Sequence, residues 1–370
     1  MICWPVTATH GEDYKKLVMP AAAEIYSLGA PVEIGNIEQE LKKLWRDSEG
    51  AMTRASLMNL AVYSEQSGSL QNNTQLMARI TENHACRAIV IEADCAVGDD
   101  NVSAWISAHC HVSSVGSQQV CSEQISFLLK GGCTVQLPNI VLSNLDSDLP
   151  LYLWWQKEFR EPMDPQLWTW VDRVIYDSQG WSDFRSQIHL LELMQAETKQ
   201  RLVLCDLNWT RLDNLRFALA QFFDHPASHH RLAKITNLRI HFAPGFRSTA
   251  ILFLGWLGAQ LNWHIDEVKS SHELRFIAAS AQHIEVELRE QNGQPVHEIV
   301  LTSGDVVFQV TYANCGDLLE VLRTQNDEKR APQLMPAGNN DPVGLISEEL
   351  MRGGPHHVYL NALNCVRDLL

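Results

Sequence analysis

Neither Gly-x-Gly-x-x-Gly nor Gly-x-x-x-x-Gly-Lys-Ser/Thr occurs in these 370 residues, so dinucleotide and P-loop chemistry have no local support. Cys-x-x-Cys is absent too, and nine cysteines between positions 3 and 365 follow no framework spacing. Basic residues are few: 29 Lys+Arg against 44 Asp+Glu leave a net charge of −15. That balance argues against a nucleic-acid or anionic-membrane partner, since either needs a basic face. The longest apolar stretch, 249–261, is interrupted by Gly255, Gly258 and Gln260 and is too short to span a bilayer. The first residues lack the basic-then-apolar pattern of a signal peptide. These absences predict a reduced, cytoplasmic chain whose cysteines are mostly small buried hydrophobes.

What is present excludes disorder as the dominant state: 45% of residues are hydrophobic, and eleven are tryptophan. The length suggests two or three domains. Ile34, Ile37, Leu41, Leu44 and Trp45 share one helical face. A strand over 53–63, a helix over 71–82 and a strand over 85–92 form a βαβ unit. Residues 102–111 alternate, with Cys110 on one face and His109 and His111 on the other; 120–129 is their antiparallel neighbour across a turn near Gly116. A short helix over 135–142 and a strand over 148–155 follow. Glu161-Pro-Met-Asp-Pro165 is the linker candidate. Beyond it, strands at 173–176, 202–206 and 238–242 alternate with helices at 182–199, 209–223 and 248–261, a rhythm that implies a mainly parallel sheet. Strands at 283–290, 296–301 and 305–312 are joined by Asn292-Gly293 and Ser303-Gly304, both hairpin signals. Helices over 316–323 and 358–370 close the chain, separated by a Pro/Gly/Asn-rich loop near 332–344. The expected class is α/β: an arm over 1–32, an α/β sandwich domain over 33–163, and a mainly parallel α/β domain with a C-terminal antiparallel hairpin region over 164–370.

Candidate chemistry is thin. His84, Cys86, His109, Cys110, His111 and Cys121 are close in sequence, but Cys110 faces away from the histidines, so no zinc is expected. A nucleophilic Cys121 or Cys110 with His109 and Glu123 would need a strained turn or helix start, and both cysteines lie within strands. No catalytic set, cofactor or metal is expected from the residues, which favours a binding role.

Six stretches then resemble one family in order: Glu82-Asn-His-Ala-Cys-Arg87, Cys121-Ser-Glu-Gln-Ile125, Asp148-Leu-Pro-Leu-Tyr-Leu-Trp-Trp155, Val171-Asp-Arg-Val-Ile-Tyr-Asp-Ser178, Asp206-Leu-Asn-Trp-Thr-Arg-Leu212 with Ala220-Gln-Phe-Phe-Asp224, and Gly255-Trp-Leu-Gly-Ala-Gln-Leu-Asn-Trp263. From about residue 33 to 310 the chain is similar to the glucose-6-phosphate dehydrogenase assembly protein (OpcA) family, departing from its Asn-His-Pro motif at Ala85. The resemblance implies a non-catalytic allosteric activator or assembly factor of that dehydrogenase in the oxidative pentose phosphate pathway, with thioredoxin control in some members. A surface of that kind uses aromatic and arginine anchors. Arg87, Trp154, Trp155, Arg173, Trp209, Arg211, Trp256 and Trp263 are the candidates, of which two or three are expected to be anchors and the rest core. For a redox pair, Cys315 and Cys365 are the candidates, with Cys86, Cys110, Cys121 and Cys205 expected to be buried and inert. A small-molecule-binding regulatory protein and a Cys/His enzyme remain the alternatives.

Overall fold

Runs buried on both faces, such as 59–64 and 87–94, form central parallel strands, whereas the alternating runs downstream form a sheet with one open face. The computed structural model describes residues 28–46, 52–96, 98–112, 119–162, 164–199, 201–313 and 316–367.

The first sheet contains β1 (Ala30–Val32), β2 (Met52–Arg54), β3 (Asn59–Ser64), β4 (Arg87–Asp94), β5 (Asn101–Val112), β6 (Gln119–Lys130), β7 (Leu151–Trp155), β8 (Arg173–Tyr176) and β9 (Val203–Asp206). Its order is β1-β5-β6-β4-β3-β7-β8-β9, with β2 beside β6. From β6 to β9 every neighbouring pair is parallel. Counted along the chain from β3, this is the 3-2-1-4-5-6 order of a doubly wound dinucleotide-binding fold. The expected strand over 53–63 is two strands, because β2 occupies the lane beside β6 that β4 enters only from Ala88. The expected division at 163/164 falls inside this sheet, since β8 and β9 extend it.

The second sheet holds β10 (Ile235–Phe242), β11 (Trp263–Val268), β12 (Glu273–Ala278), β13 (His283–Glu290), β14 (Val296–Ser303), β15 (Val306–Tyr312), β16 (Leu318–Gln325), β17 (Glu328–Lys329) and β18 (Gln333–Pro336). Its order is β11-β12-β13-β10-β14-β15-β16-β17, with β18 beside β16. Within this sheet, only β10 and β13 pair in parallel among the described residues, so the mainly parallel expectation ends with β9. The physical reason is the alternation of β10, whose Leu238, Ile240 and Phe242 are buried while Arg239 is exposed. Ser303-Gly304 turns as expected, with β14 and β15 antiparallel. Asn292-Gly293 does not make a hairpin, because β10 lies between β13 and β14; Gln291 N–H donates to Phe242 O at 2.8 Å as the chain crosses the end of β10. The helix expected over 316–323 is instead β16, whose Leu319 and Val321 alternate inward and pair with β15.

The helices are α1 (Ile37–Arg46), α2 (Ser69–Thr81), α3 (Leu137–Ser143), α4 (Pro165–Trp168), α5 (Phe184–Glu197), α6 (Leu207–Thr210), α7 (Asp213–Ala220), α8 (Pro226–His229), α9 (Arg247–Leu261), α10 (Pro342–Met351) and α11 (His357–Arg367). The helix expected over 209–223 is broken into α6, α7 and a 3-10 turn, Gln221–Phe223. α10 starts at the end of the loop expected near 332–344 and runs to Met351, where no helix was expected; Asp341 caps it by accepting from the N–H of Val343 and Gly344, with Pro342 at its first position. α11 packs on α9 and α5, while α10 packs on α2 and α6, so the chain's last helices return to the first sheet. Close approach of α9 and α11 requires Gly255: a Cβ there would lie 2.5 Å from the Val366 side chain and 2.7 Å from Ala362 O. No helix among the described residues is long and apolar enough to cross a membrane.

Candidate functional site

In an open parallel sheet, ligands bind outside the carboxyl ends of the strands where the strand order reverses. Here that point lies between β3 and β7, and a crevice of about 440 Å³ opens there. Gln66, Ser69 and Asn73 form one wall, Trp154, Trp155 and Lys157 another, and Pro342 and Leu345 of α10 reach in from the far end.

The anion position of this crevice is already taken. A doubly wound fold presents the pyrophosphate to the N–H groups at the start of the helix after its first strand. In this chain that helix is α2, preceded by Gly68 at φ +78°. The Glu92 carboxylate, buried near the end of β4, sits on it: Gly68 N–H donates to Oε1 at 3.0 Å and Leu70 N–H to Oε2 at 2.7 Å. Ser69 Oγ adds a 3.4 Å contact. The carboxylate satisfies the unpaired donors and the positive helix end together. A second tie spans the crevice: the Asn73 and Gln156 side-chain amides donate to one another at 2.9 and 2.8 Å.

Beneath the crevice floor lies a buried polar network. Asp206 caps α6 and accepts four hydrogen bonds: from Ser178 N–H at 3.0 Å, Ser178 Oγ at 2.7 Å, Asn208 N–H at 2.9 Å and Tyr359 Oη at 3.0 Å. Tyr176 and Tyr359 share a further hydroxyl bond of 2.8 Å. Burial, followed by the nearby Asp177 charge, pushes the Asp206 carboxyl up to about 7 against the opposing pull of its donors.

Four of the five candidate tryptophans are core. Trp154 and Trp155 line the crevice but are only 6% and 8% exposed. Trp155 stacks on Tyr63 at 4.5 Å, and Trp209 lies under the Arg216 guanidinium at 3.5 Å. Trp263 packs on Phe276. Trp256 is half-buried beside Phe253. Arg87 is buried between Glu38 and Glu123, and Arg173 is buried over the Tyr152 ring. Arg211 lines the crevice and makes a two-pronged pair with Asp177 at 2.8 and 3.3 Å. Of the eight candidates, only Arg211 and Trp256 are not buried.

The cysteines depart further from expectation. Cys110 and Cys121 are joined in a disulfide, cross-strand partners in the β5–β6 register with Cα atoms 4.1 Å apart. Cys121 is buried as expected, but Cys110 is exposed at the end of the β5 alternation. The turn expected near Gly116 lies outside the described residues; a turn centred there sets 110 opposite 121, the signal that could have found the pair. Cys315 lies outside the described residues. Cys365 is half-buried on α11 beside Gly258 of α9, and Cys86 is buried, its thiol pushed up to about 12 by desolvation. On the same strand pair, His109 Nε2 meets Gln124 Oε1 at 2.8 Å. A trio missed by sequence reasoning, because its members lie up to 151 positions apart, converges: Cys205, Glu349 and His356.

Fold and site together define a two-sheet α/β protein whose first half has dinucleotide-domain strand order and fills its own anion site. Residues 77–194 match the family model described as the glucose-6-phosphate dehydrogenase subunit N-terminal domain, and residues 203–363 match the corresponding C-terminal domain. The chain belongs to this family, the OpcA family. It is 26% identical over 314 residues to the OxPP cycle protein OpcA of Synechocystis sp. (79% of this chain, 65% of that protein) and 27% identical over 297 residues to that of Nostoc punctiforme (73% and 62%). The chain therefore spans a little under two thirds of the length of these relatives. Among solved structures, it is similar in chain path to the aldose-aldose oxidoreductase of Caulobacter crescentus (TM-score 0.44, 9% identity, 84% of this chain and 94% of that one). The biliverdin reductase of Synechocystis sp. PCC 6803 is matched at TM-score 0.44 and 10% identity over 85% and 98%.

Proposed function

We propose that this protein is a non-catalytic partner of glucose-6-phosphate dehydrogenase that promotes its assembly or its active conformation in the oxidative pentose phosphate pathway. The partner is suggested by the family to which the chain belongs. The observation that carries the non-catalytic part is the Glu92 carboxylate on the start of α2. A phosphate at the same amides would stand about 4 Å from a like charge, an unfavourable interaction of about 4 kcal/mol at an effective dielectric constant near 20, or roughly a thousandfold in affinity. An activator works by binding the active state of its partner more tightly, and coupling is limited by that difference. Arg211 and Trp256 are the contact residues on this reading. Thioredoxin control, where it operates, would act at Cys110–Cys121, the disulfide whose Cys110 is exposed.

The test is co-purification of the chain with the dehydrogenase, followed by kinetics with and without it. A stable complex with a lower KM for glucose 6-phosphate or a shifted oligomeric state is expected, with no hydride transfer by this chain alone. Unchanged kinetics and oligomeric state at saturating chain would refute the proposal.

A further inference from the structure

β9 ends with Cys205 and Asp206 on opposite faces of the strand. Asp206 enters the network with Tyr359, while Cys205 faces the point where α10 ends. There Glu349, in the last turn of α10, and His356, in the connection to α11, meet it: one donor atom from each of the three lies within 4.8 Å of the others. The Glu349 side chain is 0% exposed and that of His356 is 6% exposed. One Glu349 oxygen is satisfied by Thr210 Oγ1 and by Arg352 Nη1 at 3.1 Å. Oε2 and both ring nitrogens of His356 have no hydrogen-bond partner, while the Cys205 thiol and the Glu349 carboxyl share a hydrogen bond. Native interiors rarely leave three buried polar atoms unpaired at one point, since each costs about 1–3 kcal/mol.

We propose that Cys205, Glu349 and His356 hold a divalent cation of borderline softness, zinc in the first instance, which staples the last two helices to the edge of the first sheet. The donor set of one sulfur, one nitrogen and one oxygen suits zinc better than magnesium or calcium, which take oxygen alone. Tetrahedral zinc with ordinary bond lengths sets its donors about 3.4–3.6 Å apart. Glu349 Oε2 and His356 Nε2 already stand 3.6 Å apart. A thiolate and a carboxylate neutralise the ion's two charges. The local arginines do not forbid it: Arg216 and Arg352 both pair with Asp213, and the Arg173 guanidinium, 3.7 Å from Cys205 Sγ, offsets part of the cost that burial and the Glu349 charge put on the thiolate. Three protein ligands leave a fourth position for solvent. The staple is independent of any dehydrogenase partner, and it runs against the sequence-based expectation of no zinc, which considered His84, Cys86, His109, Cys110, His111 and Cys121.

The full chain, made without a polyhistidine tag in zinc-supplemented medium and dialysed against metal-free buffer, is assayed by plasma mass spectrometry. About one zinc per chain is expected, falling at least tenfold in Cys205→Ala, Glu349→Gln and His356→Gln. Cobalt reconstitution should produce a thiolate-to-cobalt charge-transfer band that Cys205→Ala lacks. Circular dichroism checks that each variant folds, and His356→Gln, at the margin of the site, serves if Cys205→Ala does not. A wild-type chain that holds less than about a tenth of an equivalent of zinc and gives no cobalt band overturns the proposal, as does zinc that persists in all folded variants.

Discussion

Glu92→Gln is the sharpest perturbation of the crevice, because it removes charge while keeping shape. In the wild type, two backbone donors, Gly68 N–H at 3.0 Å and Leu70 N–H at 2.7 Å, end on one buried carboxylate. Glutamine supplies one oxygen for one of them and turns an NH₂ group toward the other, so a donor faces a donor. Loss of one charge-assisted bond with one N–H left unsatisfied costs about 2 kcal/mol. Loss of the charge at the helix start adds about 0.5–1 kcal/mol. The expected destabilisation is about 3 kcal/mol, read from the urea midpoint by circular dichroism with an unchanged slope. Glu92→Ala goes further by baring the amides. Phosphate or sulfate should then raise the melting temperature of that variant but not of the wild type, by up to about 2.7 kcal/mol at a hundredfold excess over Kd. The reasoning fails if Glu92→Gln lies within 0.5 kcal/mol of wild type, or if the wild type binds NADPH at micromolar concentration with Glu92 intact.

Three further outcomes follow from the same geometry. Tyr359→Phe removes the hydroxyl that joins Asp206 and Tyr176, and should lower stability by about 2 kcal/mol in urea melts; an effect below about 0.5 kcal/mol would mean that the bond is absent in solution. The Asp206 carboxyl is raised to about 7, first by burial and then by Asp177, so its stabilising effect is complete below about pH 4 and lost as pH rises through 7. Wild-type melting temperature should therefore drop more steeply between pH 5 and pH 8 than that of Asp206→Asn, and parallel curves would exclude the assignment. Reduction of Cys110–Cys121, which closes a loop of sequence separation 11, should cost a little under 3 kcal/mol. Cys110→Ser should melt like the reduced wild type and ignore added dithiothreitol, and an equal response in both would place the reducible bond elsewhere.

Strands of one kind were legible and strands of another were not. β8 was read to the residue because Arg173-Val-Ile-Tyr176 is a short apolar run bounded by Asp172 and Asp177. The period-two pattern of β5 gave its extent and its neighbour β6. β16 was mistaken for a helix because Leu318-Leu-Glu-Val-Leu-Arg323 satisfies both periods, and its strand partner β15 decides the matter. The hairpin at Asn292-Gly293 failed for a similar cause. Turn chemistry is local, but β10, some fifty residues earlier, enters between the strands that the turn connects. α10 was hidden by Pro342 and Gly344, residues that end helices except in the first turn, where they sit here.

Distance along the chain also explains why the site went unread. A dinucleotide fingerprint is contiguous, and its absence is visible in a line of sequence. The plug that takes its place is not contiguous: Glu92 stands more than twenty residues from the amides it holds. In a doubly wound fold the end of the second strand carries the acidic residue that meets a ribose hydroxyl. Glu92, near the end of the second parallel strand, turns instead to the helix start, so one carboxylate both abandons the ribose position and fills the phosphate position. The Asn73–Gln156 pair crosses what remains of the crevice, and Leu345 closes its far end. Each device replaces a group that a bound nucleotide would satisfy with one the chain supplies itself, which makes the crevice a stable wall without ligand. On the proposed reading such a wall suits a binding partner, because a surface that is already ordered loses less entropy on docking.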